Sequence, residues 1–302
     1  MELRLPAPLS QPKISTIVRT IDLALNLALH RWTFRLLALL APGLAVTRAR
    51  RLFLTPPRHP FTNAELSALE EATLVTVPLL TGKLVAWRWG PRAAPLVLLA
   101  HGWGGRGAQL RAFVAPLLAR GFAVMTYDAP GHGMTGGRVS SLVHMVQAME
   151  AVVAKAGPVA AVIGHSLGGA AAARMLIRGA EVQAAVLVAP PASLSGHSRG
   201  FAAMLGLAEP LRYQMQRQIE RHFGVPWTEF EADAALPLHP CPLLVVHDAD
   251  DRENAFQDGQ RYARHWPGAS LLRTEGLGHR RILRDELTIA RIADFIAART
   301  QP

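Results

Sequence analysis

The chain has 302 residues, half of them apolar and 18% charged, with a formal net charge of +10 and a single cysteine. That is enough apolar residue for a sizeable core and too little charge for a disordered polyelectrolyte. One cysteine excludes an intrachain disulfide framework or a cysteine-built zinc or iron–sulfur site, and no apolar run approaches the ~18–20 residues of a membrane-spanning helix.

The charge is unevenly placed. Residues 1–60 carry nine cationic side chains against Glu2 and Asp22, and the remaining residues are close to neutral. Residues 17–47 are leucine-rich but broken by Arg19, Asp22, His30, Arg31 and Arg35, with Pro42-Gly43 ending the second piece. Two readings stay open for this segment: an interfacial amphipathic arm on a membrane surface, or helices packed on the core or on a second copy. The interrupting charges do not fit an export signal, so a cytoplasmic location with peripheral membrane contact is the expectation. Nothing downstream has the pattern of a nucleic-acid module.

From about residue 73 the texture changes to short β-rich runs separated by helical patterns. Strands are predicted at Thr73–Pro78, Lys83–Trp89, Leu96–Ala100, Ala123–Tyr127, Val159–Ile163, Ala184–Val188, Leu243–Val246 and Ser270–Arg273. Helices are predicted at Gln109–Arg120, Ser140–Lys155, Leu167–Arg178, Ala255–His265 and Arg281–Ala298. Runs such as Pro95–Ala100 are apolar throughout rather than alternating, which marks strands covered on both faces, as in a parallel sheet with crossover helices. The alternation breaks once, where Met204–Arg221 reads as an amphipathic helix inside an insertion. The chain thus divides into a basic helical arm (1–70), an α/β core (71–190 and 237–302) and a small helical insertion (191–236).

Two segments fit Gly-x-Ser-x-Gly: Gly164-His165-Ser166-Leu167-Gly168 and Gly196-His197-Ser198-Arg199-Gly200. Ser166 follows an apolar strand and leads into Ala170–Ile177, a strong helix former. A strand–turn–helix of this kind holds a serine in a strained conformation and needs glycine two residues to either side. Ser198 has no strand directly before it and reads as a loop residue, so Ser166 is the candidate nucleophile.

Through this elbow and two further motifs, the sequence resembles the α/β-hydrolase superfamily over roughly residues 70–302. Val97–Gly105, with His101-Gly102-Trp103-Gly104, is similar to the family's His-Gly loop after its third strand. Tyr127–Gly133 resembles its Asp-x-x-Gly-x-Gly turn after the fourth, and all three motifs stand in the family's order. The resemblance implies an α/β-hydrolase fold: a mostly parallel twisted sheet of about eight strands with helices on both faces and a small helical cap. It also implies a base and an orienting acid, because a serine hydroxyl is almost un-ionised at neutral pH. The family's base position falls on His279, in the loop after the last strand. Its acid falls in His247-Asp248-Ala249-Asp250-Asp251, where alignment favours Asp251 over Asp250 and Asp248, although Asp248 occupies the family's usual glycine position. The family's oxyanion donors fall on the N–H groups of Trp103 and Leu167, and the Trp103 side chain either walls an acyl pocket or simply packs. Asp128, Gly131 and Gly133 are read as shaping the backbone beneath the site.

The expected activity is hydrolysis of carboxylic esters, lipid-like or medium-chain ones included, through an acyl-enzyme. No metal or other cofactor is expected, and the expected partner is a small acyl ester. A thioesterase or acyltransferase on the same side chains and a non-catalytic binding protein of this fold are the alternatives.

Overall fold

The computed structural model describes residues 28–300 except 30, 81 and 238. The arm's first part, residues 1–27, lies outside the described residues, and with it the expectation for residues 17–27.

Eight strands form one sheet: β1 (Thr73–Leu79), β2 (Gly82–Trp89), β3 (Leu96–Ala100), β4 (Ala123–Asp128), β5 (Ala161–His165), β6 (Ala184–Val188), β7 (Leu243–Asp248) and β8 (Ser270–Thr274). Their order is β1-β2-β4-β3-β5-β6-β7-β8. β2 pairs antiparallel with β1 and β4, and every other pairing is parallel. The five central strands are buried along their whole length, whereas β1 and β8, at the edges, carry exposed positions.

Why unbroken apolar runs become strands is visible in the side-chain alternation. Leu96, Leu98 and Ala100 of β3 enter one core, with Met125, Val162, Leu187 and Val245 from its neighbours. Val97 and Leu99 enter the other, with Val124, Ile163, Val186 and Val246. A strand with helices above and below needs no polar face. On the first side lie α4 (Leu142–Ala156) and α5 (Leu167–Ile177); on the second lie a 3₁₀ segment (Gly107–Phe113) and α10 (Glu286–Ala297).

All eight predicted strands are present. β5 ends two residues later than expected, because Gly164 and His165 pair with Leu187 and Val188 of β6; glycine here does not break the strand. Two predicted helices are divided. Gln109–Arg120 is a 3₁₀ turn followed by α3 (Val114–Leu118). Arg281–Ala298 is a single turn, α9 (Gly278–Arg281), then α10, which the Asp285 carboxylate caps by accepting the Thr288 N–H at 2.9 Å. α8 (Phe256–His265) matches its expected range within one residue.

The insertion folds as two helices, α6 (Leu194–Leu205) and α7 (Glu209–Phe223), not one. Gly206, in the left-handed conformation with φ 69°, ends the first, and Pro210 opens the second. Ser198 is therefore helical rather than in a loop: its buried hydroxyl donates to Ser195 O at 2.9 Å and accepts from Arg212 Nη1 at 2.8 Å. Residues 31–40 are helical, and α1 (Pro42–Phe53) follows. Phe34, Ala45, Val46 and Ala49 from these helices share one buried cluster with Leu211, Met215 and Ile219 of α7. α2 (Asn63–Glu70) is held by a capping box between Thr62 and Glu65.

Candidate active site

β5 delivers Ser166 above the carboxyl ends of the sheet. Its backbone has φ 52° and ψ −126°, a conformation that costs a non-glycine residue on the order of 1–3 kcal/mol. The flanking glycines are steric requirements of this turn: a Cβ on Gly164 would lie 2.5 Å from Gly168 O, and one on Gly168 2.4 Å from His101 O. The hydroxyl stands at the start of α5, where the first N–H groups of a helix lack intrahelical acceptors. Among the described residues, neither Leu167 N–H nor Trp103 N–H has a backbone acceptor. Both residues, with Ser166 and His279, line one cavity that opens to solvent.

The acid loop after β7 resolves three aspartates by what each touches. The Asp251 Oδ2 accepts from His279 Nδ1 at 2.7 Å, and its Oδ1 accepts the N–H groups of Glu253 and Asn254 at 2.8 and 3.0 Å. Asp248 braces two loops instead, accepting from the Thr274 hydroxyl at 2.7 Å and from Leu277 N–H and Asp250 N–H at 3.0 Å each. Asp250 accepts Gly276 N–H at 2.9 Å. Burial acts to raise the Asp251 pKa, but hydrogen bonds from His247, His279 and the Asn254 N–H prevail and hold the carboxyl well below the usual range. An ionised carboxylate only accepts, so His279 Nδ1 carries a hydrogen, and in the neutral ring the lone pair is on Nε2. Glu253 Oε2 lies 4.0 Å from that Nε2 and is itself tied to Arg280.

Three side chains surround this pair: His165 and His247, which stand within motifs and read as packing or loop hydrogen-bonding residues, and Asn254, which carried no functional signal in the sequence. Asn254 Nδ2 donates to Ala189 O at 2.8 Å and lies 3.5 Å from Ser166 Oγ. Ser166 and Ala189 are the non-glycine residues with positive φ among the described residues, so one amide bridges both strained turns. His165 Nε2 donates to His279 O at 3.0 Å and packs its ring 4.6 Å from the His279 ring, holding the loop in place. His247 is fully buried, with Nε2 3.2 Å from Asn254 O and 3.5 Å from Asp251 Oδ2. It leaves no room at Gly259 of α8, where a Cβ would meet His247 Nδ1 at 2.6 Å.

His101 shapes the opposite wall. Its Nδ1 donates to Gly102 O at 2.7 Å and its Nε2 accepts Ala129 N–H at 3.0 Å, which keeps the ring neutral and bends the loop that carries Trp103. The Trp103 ring meets His132 edge-on at 5.3 Å. Asp128 accepts Gly107 N–H at 2.8 Å and Met134 N–H at 2.6 Å, a backbone role. Behind Trp103 and Leu167 lies a second, apolar cavity, walled by α1, α6 and α7 through Phe53, Leu194, Phe201, Ile219 and Phe223. His197 of α6 lines both cavities.

Burial is the largest cause in both cases and lowers the pKa of His101 to about 4 and that of His165 to about 3. The unfolded chain then takes up protons before the folded one as pH falls below about 6.5, so stability present above that pH is lost towards pH 3–4. His101 alone accounts for a loss on the order of 3 kcal/mol. A melting temperature that declines steadily from pH 6.5 to 4 is expected in scanning fluorimetry; a flat profile would contradict the neutral-histidine assignment.

A family model described as the alpha/beta hydrolase family matches residues 97–291. The pimeloyl-[acyl-carrier protein] methyl ester esterase of Klebsiella pneumoniae is 35% identical over 135 residues, 43% of this chain and 51% of that protein. The chain thus spans about half the length of the curated relatives it matches. Among solved structures, the esterase Pf2001 of Pyrococcus furiosus superposes with a TM-score of 0.62 at 21% identity, over 82% of this chain and 100% of that one. Est1E of Butyrivibrio proteoclasticus gives 0.58 at 18% identity, over 75% and 98%, and the thioesterase domain from the curacin biosynthetic pathway 0.55 at 18%, over 74% and 98%. At these identities the structures speak to the fold. The family match runs unbroken from the His-Gly loop through the elbow to the loop of His279, and on that ground the chain belongs to the α/β-hydrolase family.

Proposed function

We propose that the chain is a serine esterase that cleaves carboxylic esters with a medium-length aliphatic acyl group. The observation that carries the reading is the Asp251–His279 hydrogen bond at 2.7 Å, with His279 lining the same cavity as the strained Ser166. Ser166 Oγ attacks the acyl carbonyl carbon as its proton passes to His279 Nε2. The carbonyl oxygen becomes an oxyanion facing the N–H groups of Trp103 and Leu167, an arrangement whose single donors are typically worth roughly 3–4 kcal/mol. Collapse breaks the ester C–O bond, and the alkoxide leaves with the proton from His279. Water then repeats the cycle on the acyl-enzyme and releases the acid. Asp251 stays ionised throughout, orienting the ring and offsetting the imidazolium charge.

Oxygen esters are placed ahead of thioesters because the curated relative is by name a methyl ester esterase. The medium-length acyl group is drawn from the apolar lining of the cavity behind Trp103 and Leu167, which Phe53, Leu194, Phe201, Ile219 and Phe223 supply.

A p-nitrophenyl ester series from acetate to dodecanoate tests this. kcat/KM is expected to climb by about fourfold per CH2 while the chain fills the pocket, from ~0.8 kcal/mol per buried CH2. Ile219→Trp, which fills the cavity from α7, is expected to move the optimum to shorter acyl chains. A preference confined to acetate and butyrate, or an optimum that Ile219→Trp leaves in place, would sink the acyl assignment. Faster turnover of acyl-CoA than of the matched oxygen ester would transfer the reading to a thioesterase.

A further inference from the structure

The helix over residues 31–40 is amphipathic in an inverted sense. Its inner side buries Phe34 completely and half-buries Leu37 and Ala38. Its outer side, where a surface helix normally carries polar residues, presents Trp32, Leu36, Leu39 and Leu40, and the run extends to Leu29 before it and Leu44 of α1 after it. These six side chains are 59–79% exposed. An apolar patch of this kind on a folded surface marks a contact site.

The charges beside the patch narrow what it contacts. Arg31, Arg35, Arg48 and Arg51 are exposed along the same two helices, and no acidic residue occurs between Asp22 and Glu65. Arg35 lies 5.5 Å from the Trp32 ring centre, a cation beside an aromatic ring. A second copy meeting this face across a two-fold axis would set arginines against arginines. Residues 1–27 carry Arg4, Lys13 and Arg19 against Glu2 and Asp22, so they are cationic too. A bilayer with anionic headgroups complements both features at once: apolar side chains enter the headgroup–acyl boundary while arginines meet phosphates.

We propose that this face docks on anionic membrane surfaces, with the 31–40 helix lying in the plane of the interface. No helix of the described residues is long and apolar enough to cross a membrane, and the contact is peripheral. α1 joins the two regions of interest: its first turn exposes Leu44, and its last turn carries Leu52 and Phe53 in the wall of the apolar cavity. One helix thus borders both the docking face and the apolar cavity. The docking itself does not depend on the esterase reading.

The test is co-sedimentation of the full chain with phosphatidylcholine vesicles and with vesicles containing about one third phosphatidylglycerol. At low salt, partition into the anionic vesicles is expected to exceed that into neutral ones by about tenfold or more, and to weaken as salt screens the arginines. The double substitution Leu36→Ser with Leu40→Ser is expected to lower partition about tenfold with an unchanged melting temperature, since both side chains are exposed. Arg35→Glu with Arg51→Glu is expected to remove the preference for anionic lipid. Ser166→Ala is expected to bind as the parent chain does, which separates this outcome from that of the esterase assays. Chain that stays in the supernatant, binding that ignores lipid charge, or a Leu36→Ser/Leu40→Ser variant that binds unchanged would overturn the proposal. So would a dimer in light scattering that those two substitutions dissociate while vesicle binding is absent.

Discussion

Ser166→Ala is expected to lower kcat on a p-nitrophenyl ester by roughly 10⁶-fold, the scale seen when a serine nucleophile is removed from a comparable constellation, and to abolish labelling by a fluorophosphonate. The alanine keeps the positive-φ turn and removes only the oxygen that forms the acyl bond, so the loss falls on kcat and not on folding. Ser198→Ala is the informative control, because it alters the other Gly-x-Ser-x-Gly string. Ser198 Oγ is buried against Arg212 and Ser195, with no access for an acyl group. Its removal leaves Arg212 Nη1 with Gln216 Oε1, 2.8 Å away, and costs stability on the order of 1–3 kcal/mol while labelling persists. Labelling that survives Ser166→Ala, or disappears in a folded Ser198→Ala, would move the nucleophile elsewhere.

Asp251→Asn is expected to cost about 10⁴-fold in kcat at neutral pH. An asparagine amide can turn its NH2 towards His279 Nδ1, which leaves the hydrogen on Nε2, the nitrogen that must receive the Ser166 proton. It also removes the charge that offsets the imidazolium. Asp250→Asn is expected to change kcat by about twofold at most, as befits a surface position, because among the described residues its carboxylate reaches only Gly276 N–H. Asp248→Asn acts differently again. That side chain joins Thr274, Leu277 and Asp250, so its loss loosens both loops and lowers the melting temperature. Steady-state kinetics on the three variants, with melting curves beside them, gives the comparison. A larger fall in kcat for Asp250→Asn than for Asp251→Asn would refute the assignment of the acid.

The strands were legible because a doubly covered strand has a signature that depends only on its own residues: a short apolar run bounded by glycine, proline or charge. β3, β4, β6 and β7 match their expected ranges within two residues for this reason. Where sequence pattern and structure part, a contact distant in sequence decides the outcome. Gly164 looks like a strand breaker in isolation, yet it is held in β5 by pairing to β3 and β6. Ser198 looks like a loop residue after Pro190-Pro191, yet its helix is packed against α7 and tied to it by Arg212.

The sequence by itself determined the strand–helix alternation and the elbow at Ser166, because glycine spacing and apolar runs encode backbone geometry over a few residues. Through the family resemblance it also pointed to one loop for the candidate acid and another for the candidate base. Only the tertiary structure decided which of three adjacent aspartates meets His279, since that depends on how the loops after β7 and β8 approach across a shared pair of strands. The same holds for Asn254 between Ser166 and Ala189, and for the leucines of residues 29–44, whose inward or outward facing is set by the surface they pack on. Local pattern specifies a conformation; which groups touch is specified by segments that the chain brings together from a hundred residues apart.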